Sequence, residues 1–145
     1  GVLMTEPKAF IDRYHDWALR VISKYKALLP DADYEYGYDP YWVSAYPYRV
    51  DLTKEDSQVV QVTVRNFRDR PQKHRVVLKT PPGIVAEPQV LEGTVAAKSR
   101  ESFPVTLKVQ NRDQQPAGVQ IVPFDITLDG RQHGELFDFI LMTRP

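Results

Sequence analysis

The chain has 145 residues, enough for one domain with a proper hydrophobic core and no need of metal or disulfide staples. It contains no cysteine, which excludes a disulfide framework, a thiolate metal site and a cysteine nucleophile. Nineteen Lys and Arg balance nineteen Asp and Glu, so no global field draws in nucleic acid or an anionic membrane, and neither is expected as a partner.

The first element in chain order is a helix. Thr5 is a plausible N-cap followed by Glu6 and Pro7, residues favoured in a first turn, and Pro30 with Asp31 makes the stop. Between them Phe10, Ile11, Tyr14, Trp17, Ala18, Val21, Ile22, Tyr25, Leu28 and Leu29 recur at steps of three and four, which winds them into one broad apolar stripe. Asp12, Arg13, His15, Asp16, Arg20, Lys24 and Lys26 take the other side. A helix of roughly 24 residues runs about 36 Å, longer than one small sandwich needs for a lid, so part of the stripe is expected to face another domain or subunit. Trp17, in the middle of the stripe, is expected to be buried.

The connector that follows, Asp31 to Arg49, holds Tyr34, Tyr36, Tyr38, Tyr41, Trp42, Tyr46 and Tyr48. So many amphipathic rings in one irregular segment suit cement between helix and sheet, with Trp42 buried; exposed, the same rings would suit a ligand surface. Asp31, Asp33, Glu35 and Asp39 begin like a calcium loop, but Gly37 falls one place late and Trp42 occupies the position of the bidentate Glu.

From Tyr48 onward the signal is β. Tyr48 to Leu52 reads as a short strand. Ser57 to Phe67 alternates Val60, Val62 and Val64 against Gln61, Thr63 and Arg65. The turn from Asn66 to Gln72 carries a basic cluster of Arg65, Arg68, Arg70, Lys73, His74 and Arg75, read as a solvated hairpin tip. His74 to Lys79 is the next strand, ended by Thr80, Pro81, Pro82 and Gly83. Ile84 to Val95 gives pieces broken by Pro88 and Gly93, as edge strands are. Glu101 to Gln110 alternates again, although Pro104 must point its missing donor away from a central ladder. Val119 to Leu128 and Glu135 to Met142 form a hairpin through Asp129 and Gly130, a pair that favours positive φ.

About seven short strands behind one long amphipathic helix predict a mainly β fold, an immunoglobulin-like antiparallel sandwich. The division expected is residues 1–46 for helix and connector and 47–145 for the sandwich. His15, His74 and His133 show no metal-ligand spacing, no serine lies in a nucleophile elbow, and no Gly-rich loop opens a helix, so neither a cofactor nor enzymatic activity is expected of this chain.

The connector DPYWVSAYPYR, Asp39 to Arg49, and the closing hairpin FDITLDGRQHGELFDFIL, Phe124 to Leu141, resemble the C-terminal accessory sandwich that follows the catalytic domain of some bacterial metallo-β-lactamase-fold hydrolases. The stretch SQVVQVTVRNFRDRPQKHRVVLKTPPGIVAEP, Ser57 to Pro88, is also similar to sandwich domains beside carbohydrate-binding modules. The H-x-H-x-D-H zinc motif of those hydrolases has no counterpart here. The resemblance implies the tail of a metal-dependent hydrolase, a non-catalytic accessory domain that docks on the neighbouring catalytic domain or mediates oligomerisation. Candidate interaction residues are Tyr14, Trp17, Tyr34, Tyr36, Tyr38, Tyr41, Trp42 and Tyr46. The alternative is carbohydrate binding by the connector rings. No run approaches the roughly 18 to 20 apolar residues that span a bilayer and no signal-peptide layout opens the chain, so a soluble protein is expected, with the cytoplasm favoured.

Overall fold

The computed structural model describes residues 6–28, with side chains as far as Lys24, and residues 42–144. The chain divides into two compact units, Gly1–Tyr36 and Gly37–Pro145. The first contains helix α1, Pro7–Leu28. Its start suits Pro7, whose fixed φ fits a first turn and whose missing N–H leaves nothing unsatisfied there. Lys8 and Asp12, four residues apart, pair at 2.7 Å on its exposed side. The expected cap Thr5 and the stop at Pro30 lie outside the described residues.

The second unit is a sandwich of nine strands, two more than the sequence pattern suggests. They are β1 (Val43–Tyr46), β2 (Arg49–Asp51), β3 (Ser57–Arg65), β4 (Gln72–Leu78), β5 (Ile84–Glu87), β6 (Val90–Val95), β7 (Arg100–Val109), β8 (Gly118–Leu128) and β9 (Arg131–Thr143). One sheet has the order β1-β3-β7-β5 and the other β2-β9-β8-β4-β6. All pairings are antiparallel except β2 with β9. The chain enters along β3 as β1, crosses after Tyr46, and continues as β2 in the opposite sheet. The expected immunoglobulin-like sandwich behind one amphipathic helix is the fold observed.

Alternation sets the core. Val60, Val62 and Val64 of β3, Val105 and Leu107 of β7, Val76 and Leu78 of β4, and Val122, Phe124, Ile126 and Leu128 of β8 point between the sheets and are buried, while their neighbours face outward. Phe124 and Phe139 meet across β8 and β9 with ring centroids 5.7 Å apart. The β8–β9 hairpin turns through Asp129 at φ 47° and Gly130 at φ 81°, the left-handed pair the Asp-Gly signal specifies. Pro104 sits opposite Gln61 of β3, beyond the span of β7 that β5 covers, Thr106 to Val109. Its missing donor therefore faces an edge with no strand beside it, which is how Pro is accommodated. The segments interrupted at Pro88 become β5 and β6, each the last strand of its sheet.

One expectation fails in an instructive way. The basic turn between Arg65 and Gln72 is not a solvated hairpin tip, because β3 and β4 belong to different sheets and the turn is a crossover closing one end of the sandwich. Arg68 is buried with Nη1 3.6 Å from Asp129 Oδ2, and Asn66 donates to the carbonyls of Arg70, Val95 and Ala96. Gln72 and His74, inner-face residues of β4, are buried as well. Arg65 lies 4.2 Å above the Phe67 ring.

Candidate functional site

At one edge of the sandwich a groove of about 370 Å³ is lined by Val43, Ser44 and Ala45 of β1, Tyr48, and Leu136, Phe137 and Asp138 of β9. Next to the groove in sequence, Trp42 is 2% exposed and its ring stands edge-on to the groove residue Phe137 at 6.2 Å and to His133 at 5.2 Å. Three aromatic side chains from opposite sheets thus lock β1 to β9 at this end.

The backbone of β1 makes the groove chemically open. Arg65 N–H donates to the Trp42 carbonyl at 2.8 Å, so Trp42 and Arg65 form a hydrogen-bonded pair. Pairs alternate in an antiparallel ladder, and the register Val43↔Val64, Ser44↔Thr63, Ala45↔Val62 then turns the N–H and C=O of Val43 and Ala45 away from β3. Among the described residues no strand lies beyond β1 in its sheet. Val43 is buried, so the groove presents one accessible donor–acceptor set, that of the part-exposed Ala45, beside an apolar wall.

The other wall is β9. Ile140 N–H donates to the Tyr48 carbonyl at 2.8 Å, after which β2 begins, so β2 covers β9 only from Ile140 to Met142. Tyr48 Oη donates to Asp138 Oδ1 at 2.7 Å across the mouth. That hydrogen bond, with a smaller contribution from desolvation, raises the Tyr48 pKa above its ordinary value, so the phenol stays protonated as a donor. Leu136, at the irregular register between Phe124↔Phe137 and Asp125↔Glu135, is half exposed.

The sequence-predicted residues scatter. Trp42 is a buried anchor, which removes it from any exposed sugar platform. Tyr46 is exposed on the outer face of β1, with its hydrogen-bonding backbone turned to β3. Tyr14 and Trp17 stack on α1 with centroids 5.5 Å apart. Trp17 is 51% exposed, against the expectation of burial. Tyr34, Tyr36, Tyr38 and Tyr41, with the acidic group from Asp31 to Asp39, lie outside the described residues. Val43, Ala45, Leu136 and Asp138 were not singled out by the sequence: their meeting depends on β1 and β9 lying at one edge, which no local pattern encodes. Among the described residues no three His, Cys, Asp or Glu side chains gather in a metal-binding group.

No protein-family model and no curated protein matches this sequence. Among solved structures the chain is similar to the YadV chaperone, with TM-score 0.45 and 18% identity over 72% of this chain and 52% of that one. It is also similar to the Pseudomonas aeruginosa CupB2 chaperone, with TM-score 0.40 and 15% identity over 70% of this chain and 55% of that one. A third is WR4, a C. elegans MSP family member, with TM-score 0.46 and 12% identity over 70% of this chain and 97% of that one. This chain spans about half the length of the two chaperones. At these identities the likeness concerns the fold alone. The expected kinship with the C-terminal sandwich of metallo-β-lactamase-fold hydrolases is overturned: the similar structures include chaperones and MSP proteins and not such a domain, and no family model connects the chain to such a hydrolase. The shared turn and alternation on which that resemblance rested are generic to antiparallel sandwiches.

Proposed function

We propose that the sandwich is a non-catalytic interaction module that receives an extended segment of a protein partner along β1. The observation that supports this reading is the outward N–H and C=O of the part-exposed Ala45 beside a groove walled by Leu136 and Phe137. A strand added at a free edge gains main-chain hydrogen bonds there, and its alternate side chains seek pockets. One apolar side chain of the incoming strand fills the groove, and the Tyr48–Asp138 pair at the mouth meets a polar neighbour.

Panning octapeptides on phage against the full chain tests this. The selected peptides are expected to alternate apolar and polar residues, and binding them is expected to slow hydrogen exchange at Ala45. Ala45→Pro removes an outward donor without touching the β3 ladder, and Leu136→Asp places a charge in the groove at an exposed position. Each is expected to weaken peptide binding at least about tenfold, a loss of about 1.4 kcal/mol, with the thermal melt of the sandwich nearly unchanged. Peptides that bind both variants as well as the parent would disprove edge addition.

A further inference from the structure

Helix α1 segregates its charges in a way the neutral total of the chain conceals. At about 100° per residue, Phe10, Ile11, Tyr14, Trp17, Ala18, Val21 and Ile22 share one arc. Its large members, Phe10, Ile11, Tyr14, Trp17 and Ile22, are all exposed. Arg13, Arg20 and Lys24 follow one border of that arc in a file, and Lys8 and His15 follow the other. The two carboxylates of the helix, Asp12 and Asp16, stand at the centre of the polar face, farthest from the apolar arc. Four cations, Lys8, Arg13, Arg20 and Lys24, thus oppose two carboxylates; Lys8 is paired with Asp12, and Arg13, Arg20 and Lys24 line one border of the arc. Leu19 is the one large apolar side chain on the polar face.

We infer that α1 lies in the plane of an anionic phospholipid surface, apolar arc down. A helix docking into a protein groove has no need to file three cations along the border of its apolar arc and set its carboxylates at the pole, whereas a headgroup layer rewards that order. At such a surface the stems of Lys and Arg can lie along apolar surface while their charges reach the phosphate level, and the carboxylates sit at the greatest distance from the lipid charge. Trp17, Tyr14 and Phe10 form a continuous ring series, with centroids 5.5 and 6.4 Å apart, of the kind suited to the boundary between headgroups and acyl chains. No described helix is long and apolar enough to cross a membrane, which fits lying on the surface rather than spanning it. The expectation of no membrane partner rested on the sum of charges over the whole chain, and a local distribution of this kind is invisible in that sum. This inference rests on α1 alone and is independent of the groove on the sandwich.

Co-sedimentation of the full chain with vesicles tests it, using phosphatidylcholine alone and phosphatidylcholine with about one-third phosphatidylglycerol. The partition coefficient is expected to be at least about tenfold higher on the anionic vesicles at low salt, and to fall steeply near 1 M salt, where screening acts over only about 3 Å. Trp emission should shift to the blue only with anionic vesicles, and Trp17→Phe should abolish the shift while the protein still pellets. The triple variant Arg13→Gln, Arg20→Gln, Lys24→Gln should lower partition by about a hundredfold, taking roughly 1 kcal/mol per surface cation, with the sandwich melt unchanged. Failure to pellet with either vesicle, equal partition onto both, or a triple variant that binds like the parent overturns the inference. So does a lipid-free dimer that already buries Trp17, since the helix would then be a protein-docking element.

Discussion

Strand β3 and helix α1 carry equally regular apolar periodicities, yet the three inward valines of β3 are fully buried and most of the α1 stripe stands in the open. The two tryptophans make the same point. Trp42 is 2% exposed, wedged between the sheets on Phe137 and His133, and Trp17 is 51% exposed on its helix. Period reports which side chains share a face. Whether that face is covered depends on a second element lying opposite, and in the sandwich the second sheet supplies it.

Truncating the two rings breaks or sharpens this contrast most sharply. Trp42→Ala empties a filled site between two sheets and is expected to cost about 3 to 5 kcal/mol, a large share of the roughly 5 to 15 kcal/mol that holds a domain together. Trp17→Ala, on an exposed face, is expected to shift the same transition by no more than about 0.5 kcal/mol. Urea unfolding followed by far-ultraviolet circular dichroism near the strand minimum measures both. Equal midpoints for the two variants would mean that Trp42 is not the anchor its burial indicates.

Within the sandwich the same contrast runs along one strand. The inner face of β4 carries Val76 and Leu78 at one end and Gln72 and His74 at the other, all buried. The His74 ring lies 5.3 Å from that of Phe103 and against Gly93, where even a methyl group would meet Cε1 at 3.0 Å. Among the described residues neither ring nitrogen has a hydrogen-bond partner. Burial lowers the His74 pKa, and the nearby Glu92 and Glu101 offset this only in part. The folded chain therefore resists protonation that the unfolded chain accepts near its ordinary value of about 6.5. Stability is complete above that value and declines as pH falls from it through the lower folded value, because the unfolded state binds the extra proton in that window. His74→Leu should flatten this part of the profile and raise stability at pH 7 by about 1 kcal/mol, since two buried polar atoms are removed without stranding a partner. Urea midpoints at several pH values between about 5 and 8 check both effects, and an unchanged slope in the variant would assign the pH dependence to other groups.

These positions also show what the sequence could and could not reveal. Strand identity was legible wherever alternation ran clean, as in β3, β7 and β8, and the Asp129-Gly130 turn was legible from its chemistry alone. The two proline-broken edge strands were legible because proline cannot serve a central ladder. The crossover at Arg68 was misread, since a polar turn between two strands looks the same whether the strands pair or part to different sheets. The groove was invisible for a related reason: Val43 and Phe137 are 94 residues apart in the sequence, and only the order of strands within two sheets makes them neighbours. The exposure of Trp17 was missed because the width of an apolar stripe does not say what covers it.

The smallest expected effect lies at the mouth of that groove. Tyr48 Oη and Asp138 Oδ1 are 2.7 Å apart, a good distance for a phenol donating to a carboxylate, but Tyr48 is half exposed and water competes for both groups. Tyr48→Phe leaves the Asp138 carboxylate free to hydrate, so the expected loss is under about 0.5 kcal/mol, far below the cost of emptying the Trp42 site. The titration of the phenol is the more sensitive readout. With its pKa raised by the Asp138 hydrogen bond, Tyr48 ionises at higher pH than an ordinary tyrosine, and Asp138→Asn should bring it back toward the usual value near 10. Because the folded value is the higher one, the small contribution of the pair to stability is present below pH 10 and disappears as pH rises through the folded value. Tyrosinate absorbance of the parent and Asp138→Asn proteins, compared across that range, reads the shift directly. Identical titrations would show that the hydrogen bond does not persist in water, and the groove would then be open at its mouth rather than bridged.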